Sequence, residues 1–176
     1  MGCPGAGKST LARHLAPLLD LPIIHLDREY WQAGWTEPKR ADWDAAVLRL
    51  VEQPRWIMDG NYGRTLPARL AVADAAIHLD LPRRLCLPRV ILRSLRQHGR
   101  ARPDMHPGCP ERLPDLEFLL WIWRFPRKHR PDLIKQLAGA GAHGCQVITL
   151  RSARAITTWS TQAAARPGTL PRVTTA

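Results

Sequence analysis

No apolar run in this chain approaches the roughly 18 residues needed to cross a bilayer. Its start, Met1-Gly2-Cys3-Pro4, has neither the basic stretch nor the apolar core of a secretory leader. Both absences argue against a membrane partner and point to the cytoplasm. Cysteine is sparse: Cys3, Cys86, Cys109 and Cys145 stand far apart with no CxxC pair. That excludes a disulfide scaffold, and scattered thiols in a reducing compartment read as buried or idle. His106 and Cys109 have metal-like spacing but lack a second pair, so they do not make a zinc site. Nothing resembles a Ser-His-Asp triad or a pair of glycosidase carboxylates, and there are no internal repeats. Lysine is also scarce, with four against twenty-two arginines.

What remains is an ordinary globular mixture. At 176 residues, 45% hydrophobic and 23% charged, the chain suffices for one domain with a buried core. The net charge of +11 is unevenly spread. From Arg83 to Arg130, twelve arginines or lysines face four acids, a local balance of +8. Such a stretch is either a solvated basic surface or a contact for a polyanion, nucleotide phosphates or nucleic acid.

Leu11, Leu15, Leu18 and Leu19 predict a helix from Lys8 to Leu19, bent near Pro17. Three apolar runs read as buried parallel strands: 22–27 ending in Asp27, 55–59 ending in Asp59, and 75–81. The first two are separated by an amphipathic helix around Trp43, Val47 and Leu50. A basic helix from Arg83 to Gln97 follows the third. Residues 98–114 are rich in Gly, Pro and Arg without apolar periodicity, too long for an ordinary connection and typical of a lid or a disordered segment. Helices around 116–123 and 133–137, a last strand at 146–150 and a weak helix beyond Ser152 complete the pattern. Alternating strands and helices predict an α/β fold on a parallel sheet, one domain over 1–160 with a lid-like insertion at about 98–115. A disordered tail is expected over 161–176.

The strongest motif is Gly2-Cys3-Pro4-Gly5-Ala6-Gly7-Lys8-Ser9, which satisfies G-x-x-x-x-G-K-[ST] in full. Its glycines let consecutive backbone N–H groups of residues such as Gly5, Ala6 and Gly7 curl around a phosphate. The helix starting at Lys8 adds its positive dipole end. Lys8 can reach the β and γ phosphates of ATP, the Ser9 hydroxyl can ligate Mg²⁺, and Thr10 is placed for the α-phosphate. A loop of this kind normally follows a buried strand, whereas only Met1 precedes Gly2 here. That strand would lie at the sheet's centre, and without it two neighbours should stay unpaired around a groove. A start placed too late and a true truncation both account for this; the intactness of the rest favours the former. If the short form is the one that exists, weak folding and poor nucleotide affinity are expected.

Several segments resemble bacterial P-loop kinase-like proteins called topology modulation proteins, relatives of adenylate kinase. They are GCPGAGKSTLA, IIHLDREYWQAGW, RWIMDGNYGRTL, ADAAIHLDLPRRLCLPRV, GRARPDMHPGCPER and LEFLLWIWRFPRKHRP, together spanning most of the chain from Gly2 to about Arg154. The resemblance implies a three-layer P-loop NTPase fold of the nucleoside-monophosphate-kinase type, its first strand missing here, with ATP as substrate and Mg²⁺ as cofactor. The segment Asp59-Gly60-Asn61-Tyr62-Gly63-Arg64-Thr65 is similar to the DGFPRT segment of adenylate kinase, with one residue more. By that likeness Asp59 organises Mg²⁺ through water and Arg64 contacts the acceptor, although Asn61-Tyr62 in place of Phe-Pro leaves the acceptor's identity open. Arg89 and Arg93 mirror the paired arginines that open the adenylate kinase lid and touch ATP. Arg100 and Arg102 would ride on the lid, with Arg124 or Arg127 returning from the next helix.

Other readings stand beside these. Asp27 is either the acid that takes an acceptor hydroxyl's proton, as in related small-molecule kinases, or a turn acid. Arg89 and Arg93 share a helix face that could simply be solvated. Asp80 reads as structural. Trp31, with Trp35, Trp121 and Trp123, reads as core or acceptor-pocket wall before base-stacking platform. Two functions follow. One is an ATP-dependent phosphotransferase acting on a nucleoside monophosphate or small hydroxyl compound, with Lys8, Asp27, Asp59, Arg89 and Arg93 in the catalytic set. The other is a nucleotide-sensing, nucleic-acid-associated regulator, less favoured because no nucleic-acid-binding motif is present. The oligomeric state is not legible.

Overall fold

The leucines that follow Gly7 fold into α1 (Lys8–Leu19), burying Leu11, Ala12 and Leu15, and the helix ends at Asp20 in a left-handed conformation. These and the following elements come from a computed structural model, which describes residues 1–165 and 170. The first strand, β1 (Ile23–His25), stops earlier than its apolar run suggested. Leu26, fully buried, turns under the backbone of Gly60 and starts the short helix α2 (Leu26–Tyr30). Asp27 therefore sits in the first turn of a helix instead of ending a strand. Carboxylates are favoured there by the helix dipole.

The amphipathic helix α3 (Arg40–Val51) buries Trp43 and Val47. It leads to β2 (Ile57–Asp59), which pairs in parallel with β1 so that His25 lies opposite Asp59. A tight turn at Gly63–Thr65 and the short α4 (Leu66–Leu70) precede β3 (Ala75–Leu79). The basic helix α5 (Arg83–Gln97) has the expected bounds. Residues 98–115 hold no helix or regular strand. Beyond them α6 (Leu116–Lys128) and α7 (Arg130–Ala142) lead to β4 (Gln146–Leu150), paired in parallel with β3. The last helix, α8 (Ala153–Ala164), enters the expected tail because Trp159 and Ala163 are buried on the core. Leu170 also packs against that core, and the rest of the expected tail, 166–169 and 171–176, lies outside the described residues.

The chain is thus mixed α/β, with eight α-helices and two small parallel sheets among the described residues. The expected single sheet is divided: β1–β2 and β3–β4 each hold two strands. Between β2 and β3 lies a cavity of about 480 Å³ floored by Leu11, Leu15, Leu66 and Leu70. The groove expected from the chain's first residues is therefore present. Helices α1 and α8 pack together against β2 and β4, while α4 packs on α7, which also covers β4. Most buried apolar residues form one large core that includes Cys3, Ala6 and Leu15. Ile24, Leu26, Trp43 and Val47 form a separate small core beside it. Among the described residues, no helix is long and apolar enough to cross a membrane.

Candidate functional site

The segment from Gly2 to Ser9 is a closed curl. Ala6 donates its backbone N–H to the Cys3 carbonyl at 3.0 Å, and Leu11 donates to the Gly7 carbonyl at 2.9 Å. Gly5 and Gly7 have φ of 80° and 95°, a region costly to residues with a Cβ. At Gly5 space matters as well, since a Cβ would come within 2.4 Å of the Cys86 carbonyl oxygen on α5. Cys3 and Ala6 are buried on the large core, whereas Pro4, Gly5, Gly7, Lys8 and Ser9 are half-buried and Thr10 is exposed. Lys8 folds back over the curl, its Nζ donating to the carbonyls of Gly2 (3.1 Å) and Cys3 (3.3 Å). The side chain of Asn61 clamps the same end. Its Oδ1 accepts from the Gly2 N–H at 2.9 Å and its Nδ2 donates to the Gly2 carbonyl at 2.8 Å.

Asp59 is buried beside this curl at the end of β2. Burial alone would push its carboxyl up. A contact from His25 Nδ1 at 3.1 Å, the charge of Lys8, a hydrogen bond from the Ser9 hydroxyl and the terminal amine outweigh burial and hold it at about 2. Asp59 is therefore ionised at neutral pH. The parallel register that sets His25 opposite Asp59 explains this contact, and His25 was not singled out from sequence.

Asp27 faces the same charges. Burial raises its carboxyl above the usual range, opposed by Tyr62, Lys8 and Arg102, while Asp59 adds to the rise. The Tyr62 hydroxyl donates to Asp27 Oδ1 at 2.9 Å. Tyr62 has a φ of 40°, and Arg69 fixes this turn by donating to the carbonyls of Gly60, Asn61 and Tyr62. Arg69 is itself buried, and burial lowers it to about 10. Neither Tyr62 nor Arg69 was assigned a role from sequence. The extra residue in this segment, relative to the adenylate kinase pattern, was the available signal.

A pocket of about 260 Å³ lies beyond Tyr62, lined by Tyr30, Glu37, Arg40, Trp43, Tyr62 and Arg64. Tyr62 joins this pocket to Asp27. The rings of Tyr30, Trp43 and Tyr62 pack with centroids about 5 Å apart in tilted or edge-on geometry. Arg64 lines this pocket, and its guanidinium pairs with Asp44 and donates to the Arg40 carbonyl. Trp31 does not line it; its ring packs against Tyr30 and Trp35 instead.

The segment from 98 to 115 is ordered by buried acids. Glu111 accepts from the Ser94 hydroxyl at 2.7 Å and pairs with Arg93 Nε at 3.3 Å and Arg102 Nε at 2.9 Å. Arg102 also reaches Asp104 at 3.2 Å. On the opposite side, Trp35 donates to the Pro110 carbonyl (3.0 Å) and Gly34 donates to the Gly108 carbonyl (2.8 Å). His106 and Cys109 have such neighbours too, Gly108 and Gln32 respectively. Of the arginines expected on the lid side, Arg102 acts electrostatically on Asp27 and Arg93 stands next to Arg102. Arg89, Arg100, Arg124 and Arg127 are exposed, and no contact brings their side chains to Asp27 or Asp59. The reading of Asp80 as structural agrees with its two-point pairing to Arg130, at 2.7 and 2.8 Å.

The curl, Lys8, Ser9, Asp59 and Asp27 thus converge, with Arg102 nearby. Ser9 and Asp59 offer two adjacent oxygen donors, one firmly ionised, which suits Mg²⁺ carried in on phosphates and keeping most of its water. Among the described residues, no group of three or more His, Cys, Asp or Glu forms a self-sufficient metal cage. Comparison with protein-family models, with curated proteins and with solved structures finds no match to this chain.

Proposed function

We propose that the chain is a P-loop phosphotransferase that moves the γ-phosphoryl group of Mg-ATP to the hydroxyl or phosphate oxygen of a small acceptor. The observation that carries this reading is the meeting of Lys8, Ser9, Asp59 and Asp27 at the mouth of the glycine curl. Backbone N–H groups of the curl hold the β-phosphate, and Lys8 exchanges its carbonyl contacts for phosphate oxygens. Ser9 and Asp59 would hold Mg²⁺, which neutralises phosphate charge when bound. Asp27, with its raised carboxyl, accepts the proton of an acceptor hydroxyl as that oxygen bonds to phosphorus and the bond to ADP breaks. Arg102 balances charge developing on the transferred group and, with its lid, excludes water. The aromatic pocket beyond Tyr62 receives the acceptor.

The basic stretch from Arg83 to Arg130 supports the nucleic-acid reading only in part, because four of its twelve cations are engaged within the protein. Arg93, Arg102 and Arg130 are paired with acids, and Arg83 lies over the Trp123 ring while donating to that residue's carbonyl. Transfer of labelled phosphate from ATP across nucleoside monophosphates and small alcohols tests the assignment. Asp27→Asn should lower kcat for a hydroxyl acceptor by about 10²–10⁴ while Mg-ATP affinity stays within a few-fold. An unchanged kcat would remove Asp27 from the chemistry.

A further inference from the structure

Helix α5 needs only one of its faces for the core. Cys86, Val90 and Ser94 are its buried residues. On the other side Leu85, Pro88, Leu92 and Leu95 are exposed, Leu92 by 46% and Leu95 by 59%. A single exposed leucine is ordinary, but a cluster marks a contact surface. Of the eleven large apolar side chains exposed among the described residues, eight lie on α5, on α6 or at Leu113 just before α6. Helix α6 packs beside α5 and exposes Leu116, Leu120 and Trp123. The spacing on α5 is three, four and three residues, which puts Leu85 and Leu92 at heptad a and Pro88 and Leu95 at d. Arg89 and Arg96 then fall at e, Arg84 and Ile91 at g, and all four are exposed. A stripe confined to a and d is the narrow seam that receives another helix, whereas a broad face such as a bilayer calls for a wider one.

We propose that the outward face of α5 docks an acidic amphipathic helix of a partner protein, laid along Leu85, Pro88, Leu92 and Leu95 with its carboxylates beside Arg84, Arg89 and Arg96. The 15 residues of α5 give a seam about 22 Å long, two heptads. Charge selects the occupant, since residues at e and g decide which helices pair. Helix α5 contains no acid, and none of the eight described α-helices holds more than two. A second copy would therefore set arginine against arginine. Residues 166–176 of the chain itself carry two arginines and no acid, so they are mismatched as well. Nucleic-acid phosphates would satisfy the arginines and leave the leucines in water. This surface does not rest on the phosphotransferase reading.

The full chain is titrated with two labelled helical peptides of about three heptads, both with leucine at a and d. One carries glutamate at e and g, the other lysine, and fluorescence anisotropy reports binding. The glutamate peptide should bind saturably and weaken about tenfold or more as salt rises from about 0.05 to 0.5 M, and the lysine peptide should not bind. Joint replacement by Leu92→Gln and Leu95→Gln should weaken binding about tenfold or more. Arg84→Glu with Arg96→Glu should instead transfer the preference to the lysine peptide. All four side chains are exposed, so both variants should fold, which circular dichroism checks. Equal binding of the two peptides, or binding of neither, overturns the proposal. Self-association in sedimentation that the leucine replacements abolish also overturns it, because a second copy would then be the occupant. Capture on phosphatidylglycerol vesicles that exceeds peptide binding does the same in favour of a bilayer.

Discussion

The glycine curl and the aromatic pocket beyond Tyr62, the phosphate and acceptor ends in the proposed reading, are built differently. The glycine curl rests on the large core through Cys3 and Ala6, and its backbone is held by Asn61, by the Lys8 contacts and by close packing on Cys86. The aromatic pocket rests on four buried residues, Ile24, Leu26, Trp43 and Val47, with partly buried aromatic rings packed around them. A phosphate looks the same in every nucleotide, so a fixed backbone cradle suits it. An acceptor pocket walled by side chains can change its shape and preference by substitution without disturbing the cradle. The lid joins the two ends, anchored to α5 through Glu111 and Ser94 and to the 32–36 turn through Trp35 and Gly34.

Removing Trp43 tests this separation most severely. Trp43→Ala empties the centre of the small core and should cost about 3–5 kcal/mol in chemical denaturation. If the ends are independent, the folded fraction keeps Mg-ATP affinity within a few-fold while the acceptor KM rises at least tenfold. An equal loss at both ends would merge the two regions into one. A smaller effect is expected from Glu111→Gln, which leaves Arg93 and Arg102 without their shared carboxylate. Stability should fall by on the order of 2 kcal/mol. Exchange should quicken at 98–111 while the 32–36 turn keeps its protection; uniform quickening would show that the lid has a single anchor.

The smallest difference is in acid sensitivity. On the large-core side, burial lowers His78 to about 4, so between pH 6.5 and 4 the unfolded chain binds the proton first. Stability on that side therefore declines as pH falls through this window. The Asp59 carboxyl is held near 2 against its ordinary 3.8, so its contribution is complete above about pH 4 and is lost as pH falls towards 2. His78→Gln should flatten the upper part of the curve and leave the lower part intact, as measured by urea midpoints at successive pH values. A curve unaltered between pH 6.5 and 4 would remove His78 from that decline.

The same contrast decides how much was legible in the sequence. The curl is a local motif, so its spacing named Lys8, Ser9 and their neighbours without tertiary information. The strands β3 and β4 and the helix α5 were equally plain, because apolar runs and helical periodicity suffice to mark them. Asp59 was visible as an acid ending an apolar strand. His25 was hidden because its role comes from strand register, and Tyr62 because a left-handed turn aims its hydroxyl at Asp27. Asp27 was placed at a strand end, since nothing local revealed that burying Leu26 turns the chain into a helix first. The lid arginines were read as a group, yet only those near the buried acids Glu111 and Asp104 are drawn inward. The pairing of Arg93 with Glu111, 18 residues further along the chain, leaves no short-range signature.

The most direct test of the central claim is calorimetric titration of Mg-ATP into the chain and into Lys8→Ala, with circular dichroism confirming that both remain folded. Saturable, Mg²⁺-dependent binding to the parent chain, weak in this 176-residue form and lost on the substitution, is the predicted result. Equal affinity in the two proteins would contradict the account.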